Sequence, residues 1–528
     1  MAPQTALFDR LSTRTSGNGR LRGLFGRTRS RKIVLLACLS TAVLLLLYLG
    51  TYRDPLSGWS LGTMSFGILR GAGRLRSVCS PEEYAAGNWL YRPYHTRPGP
   101  LTKTYDTNST ILEEGDDDPF TENPAILRNM TKSQDIFNFT RFDGCASSRE
   151  YFWHLAADSH KQFDRFPGPT EWEWVPGGRC KSPSGLRDWN REDVVKEFAE
   201  GGGWLLVGDS VTENHFFSLS CLLYPHVIGF PDYNKLTGMY DRSWAQHLYL
   251  NPDSPILKDI NLPSGFNLSS TPLVTFRRVD LLWSKSELET MHKELHPEFY
   301  DTTSSEGFSL FGEERTWSIP PKEYLDIFYK PLPEGNYATM VVSTAGHWTT
   351  NLFRGYHLDE KNKKHDGPPI GYDALIGFYN EVMSRWAEDV QHRLTIEKSN
   401  DVSHAQRLGR IWSTKDSAGN RRRDKKVLVR AYLPGHEDCH KKRSPCEEIQ
   451  PFQWNFWNWP IIWKFNEVFK NLLSVRSEHP DVIYLPIDRP GRLRPDAHST
   501  GDCLHIMSGA GVLEGWSHYI WHFITREI

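Results

Sequence analysis

The chain has no surplus of either charge: 62 Lys and Arg stand against 64 Asp and Glu in 528 residues, a formal net charge of -2. Without a global field there is no general attraction to nucleic acid or to an acidic polymer. Repeated hydrophobic spans are also lacking. A mean hydropathy of -0.52 excludes a many-span transporter, because several apolar helices of about 20 residues each would raise the average. There is no internal repeat, no glycine-rich dinucleotide fingerprint and no H-E-x-x-H pattern, so neither a bound dinucleotide nor a zincin-type centre is expected. What remains is an ordinary globular composition, 39% hydrophobic and 24% charged, at a length that suits one large domain with appendages.

The one long apolar run is IVLLACLSTAVLLLLYL at 33–49, without a charge. At roughly 1.5 Å per residue its seventeen residues cover about 25 Å, close to the roughly 27 Å of an endoplasmic reticulum bilayer. Arg10, Arg14, Arg20, Arg22, Arg27, Arg29, Arg31 and Lys32 precede it against a single acid, Asp9, while Arg53 and Asp54 cancel beyond it. Positive-inside logic predicts a cytosolic tail at 1–32, an uncleaved type II anchor at 33–50 and a lumenal body in the Golgi or endoplasmic reticulum. A cleaved signal peptide is the competing reading, disfavoured by the long preface and the lack of a small-x-small site. Sequons at Asn108, Asn129, Asn138 and Asn267 all fall downstream of the anchor. Cys38 lies within the span, and the other cysteines would meet an oxidising lumen, making Cys145, Cys180, Cys221, Cys439, Cys446 and Cys503 disulfide candidates. Cys439 and Cys446 are close enough to close a small loop, and Cys79 is the expected odd thiol.

Residues 51–140 carry Pro, Gly, Asn and an acidic run with little periodicity, which predicts a stem with few regular elements. From 141 to 528 short apolar runs at 204–207, 273–282, 338–343, 427–433 and 482–487 alternate with helical stretches at 211–223, 373–397, 460–477 and 511–524. That alternation predicts an α/β domain with a doubly wound parallel sheet flanked by helices. Pro- and Ser-rich segments at 231–272 and 287–333 read as long surface insertions, which often form binding walls.

Gly208-Asp209-Ser210 stands where an apolar strand stops and a helix begins. A serine there would sit at the carboxyl edge of the sheet, beside helix N-terminal amides able to stabilise an oxyanion. Taken alone, N-capping by Asp209 or Ser210 is the commoner fate of such residues. Near the other end of the chain, Asp502-Cys-Leu-His505 places a carboxylate three residues from an imidazole, a spacing at which the acid can hold the ring while its other nitrogen reaches a serine. Alone, this too is more often a satisfied cap before a terminal helix.

Together, in this order and context, the two motifs have the layout of SGNH or GDSL hydrolases. The stretches Trp172-Glu-Trp-Val-Pro-Gly-Gly-Arg-Cys180, Leu205-Leu-Val-Gly-Asp-Ser-Val-Thr-Glu-Asn-His215, Ser220-Cys221, Thr344-Ala-Gly-His-Trp348 and Gly501-Asp-Cys-Leu-His505 resemble the PC-esterase or trichome birefringence-like family from about residue 145 to the end. The resemblance implies an SGNH-like fold, a Golgi type II protein, and transfer of acetyl groups onto hydroxyls of a glycan or cell-wall polysaccharide. It makes Ser210 the acyl carrier, His505 the base and Asp502 its orienter, with Gly208, Asp209, Asn214, Gly346 and His347 as oxyanion or supporting residues. Acetyl-CoA or another activated acetyl carrier would be co-substrate, with no bound cofactor. Hydrolysis by the same site and an inert glycan-binding protein are the alternatives. Two departures bear on them: Glu213 stands where plant members usually carry Arg, and Thr344 where they carry Asn.

Other groupings point to less. His436-Glu-Asp-Cys439-His440 with Cys446 resembles a metal set, yet an oxidising lumen favours disulfides there, so no metal is expected. The basic run at 421–426 reads as a solvated loop. His518 and His522 share a helical face and read as packed. Of 19 tryptophans, Trp454, Trp457, Trp459 and Trp463 among them, most are expected to be buried in packing and two or three to stack on sugar rings.

Overall fold

The computed structural model describes residues 78–92, 137, 140, 142–147, 168–233, 235, 241, 244–300, 308–358, 368–407, 423–454, 457–498 and 502–528. The anchor expected at 33–50, Cys38, the sequons at Asn108, Asn129 and Asn138, and most of the expected stem lie outside the described residues. Among the described residues no helix is long and apolar enough to cross a membrane.

A seven-stranded sheet forms the centre. Its strands are β3 (Gly203–Gly208), β4 (Val227–Phe230), β5 (Gln246–Leu250), β6 (Pro272–Arg278), β7 (Tyr337–Ser343), β8 (Lys426–Arg430) and β9 (Val482–Leu485), in the spatial order β4-β5-β6-β3-β7-β8-β9. β6, β3, β7, β8 and β9 are parallel neighbours, while β4 and β5 add an antiparallel edge beside β6. Every residue of β3 and of β7 is buried, as expected of parallel strands covered on both faces. A separate ribbon pairs β1 (Asn88–Tyr91) with β2 (Trp172–Val175).

From β3 the chain steps to β6 on one side and then returns past β3 to β7, β8 and β9. Right-handed crossovers therefore send the connecting helices to opposite faces. Two helix groups result. Helix α2 (Ser210–Leu222) packs with the C-terminal helix α7 (Val512–His522), whereas α5 (Tyr372–Arg407) packs with α3 (Lys285–Leu295), α4 (Pro321–Phe328) and α6 (Ile462–Leu472). Helix α1 (Arg191–Glu200) sets Phe198 against Trp204 of β3 at 5.0 Å between ring centroids. The structure is a mixed α/β architecture with a mostly parallel central sheet, as the sequence predicts.

The differences are local. The segment 231–272, expected as a surface insertion, contributes β5, whose burial alternates along Gln246–Leu250 with a period of two that signals a half-buried edge. The other expected insertion supplies α3 and α4, the first opened by a Ser284/Glu287 capping box. Within the expected stem, Pro81–Ala85 is helical and Asn88–Tyr91 is a strand. Cys79 is not the odd thiol: it bonds Cys180. Cys145 pairs with Cys221, and Cys439 pairs with Cys503 across 64 residues instead of closing a small loop with Cys446, which is left as the free cysteine among the described residues.

Candidate active site

The parallel strands deliver one polar residue after another to the same carboxyl edge: Ser210 after β3, Asp280 after β6, His347 after β7, Tyr432 after β8 and Asp488 after β9. Strand order reverses between β3 and β7, and doubly wound sheets bind ligands outside the strand ends at such a point. Gly208 lies at this crevice because nothing larger fits. A β-carbon there would stand 2.3 Å from the Thr212 hydroxyl and 2.5 Å from the Ser343 carbonyl.

Of the pair, Asp209 takes the N-cap position, its carboxylate accepting from the Val211 amide at 3.0 Å, and Ser210 is the first helical residue, half-buried at the positive end of α2. With the Val211 amide engaged by the cap, that amide is not a spare oxyanion donor. The other Asp209 oxygen accepts from the Tyr432 hydroxyl at 2.7 Å. Burial raises the pKa of that phenol well above its ordinary value, so it stays protonated and donating. Gly346 lies against the same pair: a β-carbon would come within 2.1 Å of the Tyr432 hydroxyl and 3.1 Å of the Asp209 carboxylate. Arg430, fully buried with its guanidinium 3.8 Å over the Trp516 ring, feels the charge of Asp209.

Asp502 and His505 do meet. The ring Nδ1 stands 2.7 Å from the Asp502 carboxylate, whose other oxygen accepts from the amides of Leu504 and His505 at 2.9 and 3.0 Å. Burial pushes this carboxyl up, but the hydrogen bond and charge of His505 and the two amides outweigh it and hold the carboxyl well below the usual range. An ionised carboxylate only accepts, so Nδ1 is the donor in this pair.

Three ties fix the loop that bears this pair. The Cys439–Cys503 disulfide crosses it. The His498 ring meets the His505 carbonyl at 2.8 Å, and His436 reaches the other nitrogen of His498 at 2.7 Å. Most directly, the Asn214 side-chain oxygen accepts from the Ile506 amide at 3.0 Å. Asn214 lies one turn after Ser210 on α2, so this bond joins the serine's helix to the residue following His505. Asn214 thus serves first as a strut. Its amide nitrogen is buried and makes no hydrogen bond among the described residues.

His347 sits between two carboxylates, with Nδ1 3.6 Å from Glu314 and Nε2 3.8 Å from Asp280. Burial works to lower its pKa, but Glu314, Asp280 and Asp209 together raise it above the ordinary value. Asp280 is shifted up by burial and is held by the Arg278 guanidinium at 2.9 Å and the Trp317 amide at 2.8 Å.

Glu213 and Thr344 are both engaged in bonds within the fold. Glu213 is buried, accepts from Gln246 at 2.7 Å and faces Arg278 at 4.0 Å. Thr344 turns inward and donates to the Asp280 carbonyl at 2.8 Å. Asn267, the sequon within the described residues, is exposed. Cys439 of the metal-like set is bonded to Cys503. Tyr432, Arg430, Asp280 and His498 are site neighbours that sequence reasoning missed. None carries a local motif: pairing of β8 and β6 with their neighbours brings Arg430, Tyr432 and Asp280 to this edge, and His498 arrives through His436 and the His505 carbonyl. No family model matches the chain, and no curated protein matches it at a significant level.

Proposed function

We propose that the protein is an acyltransferase that moves an acetyl group from an activated carrier such as acetyl-CoA to a hydroxyl of a glycan or cell-wall polysaccharide, through an acyl-serine at Ser210. The observation that carries this reading is the Asp502–His505 pair at 2.7 Å on a loop bonded through Ile506 to the helix that begins at Ser210. Two supporting facts are the Asp209 cap that orients the start of the helix and the location of Ser210, directly after β3, at the strand-order reversal.

In this reading His505 Nε2 takes the Ser210 proton as Oγ attacks the acetyl carbonyl carbon, and it gives that proton to the leaving group as the carrier departs. The acceptor hydroxyl then attacks the ester carbonyl, its proton passes to His505, and the Ser210 oxygen leaves and is reprotonated. Asp502 holds the ring tautomer and stabilises the imidazolium formed in each half. The same sheet order supports an SGNH-hydrolase-like fold, and three disulfides support a lumenal setting behind a type II anchor in the Golgi or endoplasmic reticulum. Glu213 and Thr344, the departures that would favour an inert reading, direct polar groups to Arg278, Gln246 and the Asp280 carbonyl.

The test is incubation of purified full-length protein with an activated acetyl ester, with and without neutral oligosaccharides. O-acetylated sugar formed by the parent and not by Ser210→Ala supports transfer. Acetate released at a rate that no sugar redirects would make the protein a hydrolase.

A further inference from the structure

The carboxyl edge continues past the serine to a cavity of about 340 Å³, lined by Phe452, Trp459 and Trp463 with Gln450, Asp488 and Arg492. Its volume is at the small end of ligand pockets and suits one or two sugar rings. The floor belongs to the same edge. Asn466, another lining residue, bonds both the amide and the carbonyl of Tyr432, whose hydroxyl holds Asp209 beside Ser210. At Gly435 a β-carbon would stand 2.5 Å from the Trp459 ring and 2.7 Å from the Cys503 carbonyl, so this glycine lies between the indole and the loop that carries His505.

The described residues 453, 454, 457 and 458 next to this cavity are tied to the rest of the fold. Glu437 accepts from the Gln453 and Trp454 amides at 2.7 and 2.6 Å. The buried Asn458 amide donates to the carbonyls of Ala345 and Trp348 at 2.8 and 3.0 Å, which bolts the loop to the turn bearing Gly346 and His347. Trp457 is kept in the left-handed region at φ 51°, where a bulky side chain is strained, and its carbonyl accepts from Tyr372 at 3.0 Å. Despite this anchoring, Trp454, Trp457 and Trp463 remain 62, 53 and 50% exposed. Three large indoles in ten residues, uncovered although their neighbouring backbone is tied down, form a wet aromatic surface that core packing does not explain. The charges beside it neutralise one another, since Arg492 lies 3.6 Å from Asp488.

We infer that this cavity and its tryptophan rim form a subsite for a neutral polysaccharide, stacking sugar faces on Trp459 and Trp463 while Gln450, Asp488 and Arg492 meet ring hydroxyls. The inference rests on the carbohydrate-acceptor reading given above and names the part of the surface that holds the chain away from the reacting hydroxyl. A polyanionic glycan does not suit it, because the lining offers no uncompensated cation.

Binding is measured on full-length Ser210→Ala protein by tryptophan fluorescence, with cellohexaose, xylohexaose, mannohexaose and hexagalacturonate as probes. Acyl transfer is absent in this protein, so the outcome stands whether or not the parent acylates sugar. At least one neutral hexasaccharide is expected to shift the emission saturably, and adding Trp463→Ala is expected to weaken its binding about tenfold at an unchanged melting temperature. Trp463→Phe, which keeps a ring face, is expected to restore most of the affinity. The inference is overturned if no neutral probe binds, if Trp463→Ala binds as well as its parent, or if hexagalacturonate binds more tightly than the neutral sugars. It is equally overturned if Trp463→Ala changes only the oligomeric state, which would make the rim a protein contact.

Discussion

Removing the Cys439–Cys503 disulfide should damage the site more than it damages the fold. The bond closes 64 residues, and the loop-entropy relation puts its largest stabilisation at about 4.3 kcal/mol at 25 °C. The Cys79–Cys180 bond closes 101 residues, for which the same relation gives about 4.7 kcal/mol. On stability alone the second loss is therefore at least as severe. The two differ in what they hold. Cys503 lies between Asp502 and His505, and its carbonyl accepts from the His436 amide at 2.8 Å, whereas Cys79 and Cys180 lie beside the β1–β2 ribbon. A displacement of about 1 Å at a catalytic group can cost on the order of 100-fold in rate. The double variant Cys439→Ser/Cys503→Ser should accordingly react with a fluorophosphonate probe at Ser210 about 10- to 100-fold more slowly per folded molecule, the folded fraction being read by circular dichroism. Cys79→Ser/Cys180→Ser should react at the parental rate per folded molecule, at the lower denaturation midpoint its entropy demands. Equal slowing in both, or none in the first, would refute the idea that this bond positions His505.

Four further outcomes follow from the same geometry. Gly346→Ala drives a methyl into the Tyr432 hydroxyl and the Asp209 cap, so it should cost about 1–3 kcal/mol in urea denaturation and slow probe labelling as well. Asn214→Ala should leave the Ile506 amide unpaired, at about 1–3 kcal/mol, and should slow Ser210 labelling where Asn214→Asp, which keeps the acceptor, restores part of it. Glu213→Gln should cost about 1–3 kcal/mol, because Arg278 retains Asp280 as a partner, yet should not alter labelling per folded molecule. For Asp502, the folded carboxyl lies below its ordinary value of 3.8, so its stabilising share is complete above that value and is lost as pH falls through the folded one. Urea midpoints of the parent and Asp502→Asn should therefore differ more at about pH 7 than at about pH 3, and a gap that widens on acidification would contradict the assignment.

The sheet was legible because β3, β7, β8 and β9 are short apolar runs that burial on both faces requires, and each lies within a few residues of its expected bounds. The expected 273–282 strand stops at Arg278 instead: the Val279 amide makes the last bond to β3, at the Gly208 carbonyl, the next amide, of Asp280, goes to the Trp317 carbonyl at 2.7 Å, and Leu282 adopts a left-handed φ of 65°. β4 and β5 were not foreseen, because an edge hairpin with one wet face reads from sequence as polar loop. In the site, Asp502 and His505 were legible because their spacing lets one turn bring them together. Tyr432, Arg430 and His498 were not, since they reach Asp209, Trp516 and the His505 carbonyl only by tertiary pairing of distant segments. The cysteine pairing was misread for the same reason: nearness in sequence suggested 439 with 446, while the fold brings 503 closer.

The claim that a hydroxyl at the start of α2 becomes acylated can be tested at the residue itself. Full-length protein is treated with an activated acetyl ester, quenched in acid, digested and analysed by mass spectrometry. The account predicts an acetyl increment on the peptide containing Ser210, present in the parent and absent from Ser210→Ala and His505→Ala. An unmodified Ser210 in folded parent protein, or an increment that persists in His505→Ala at the parental level, would contradict it.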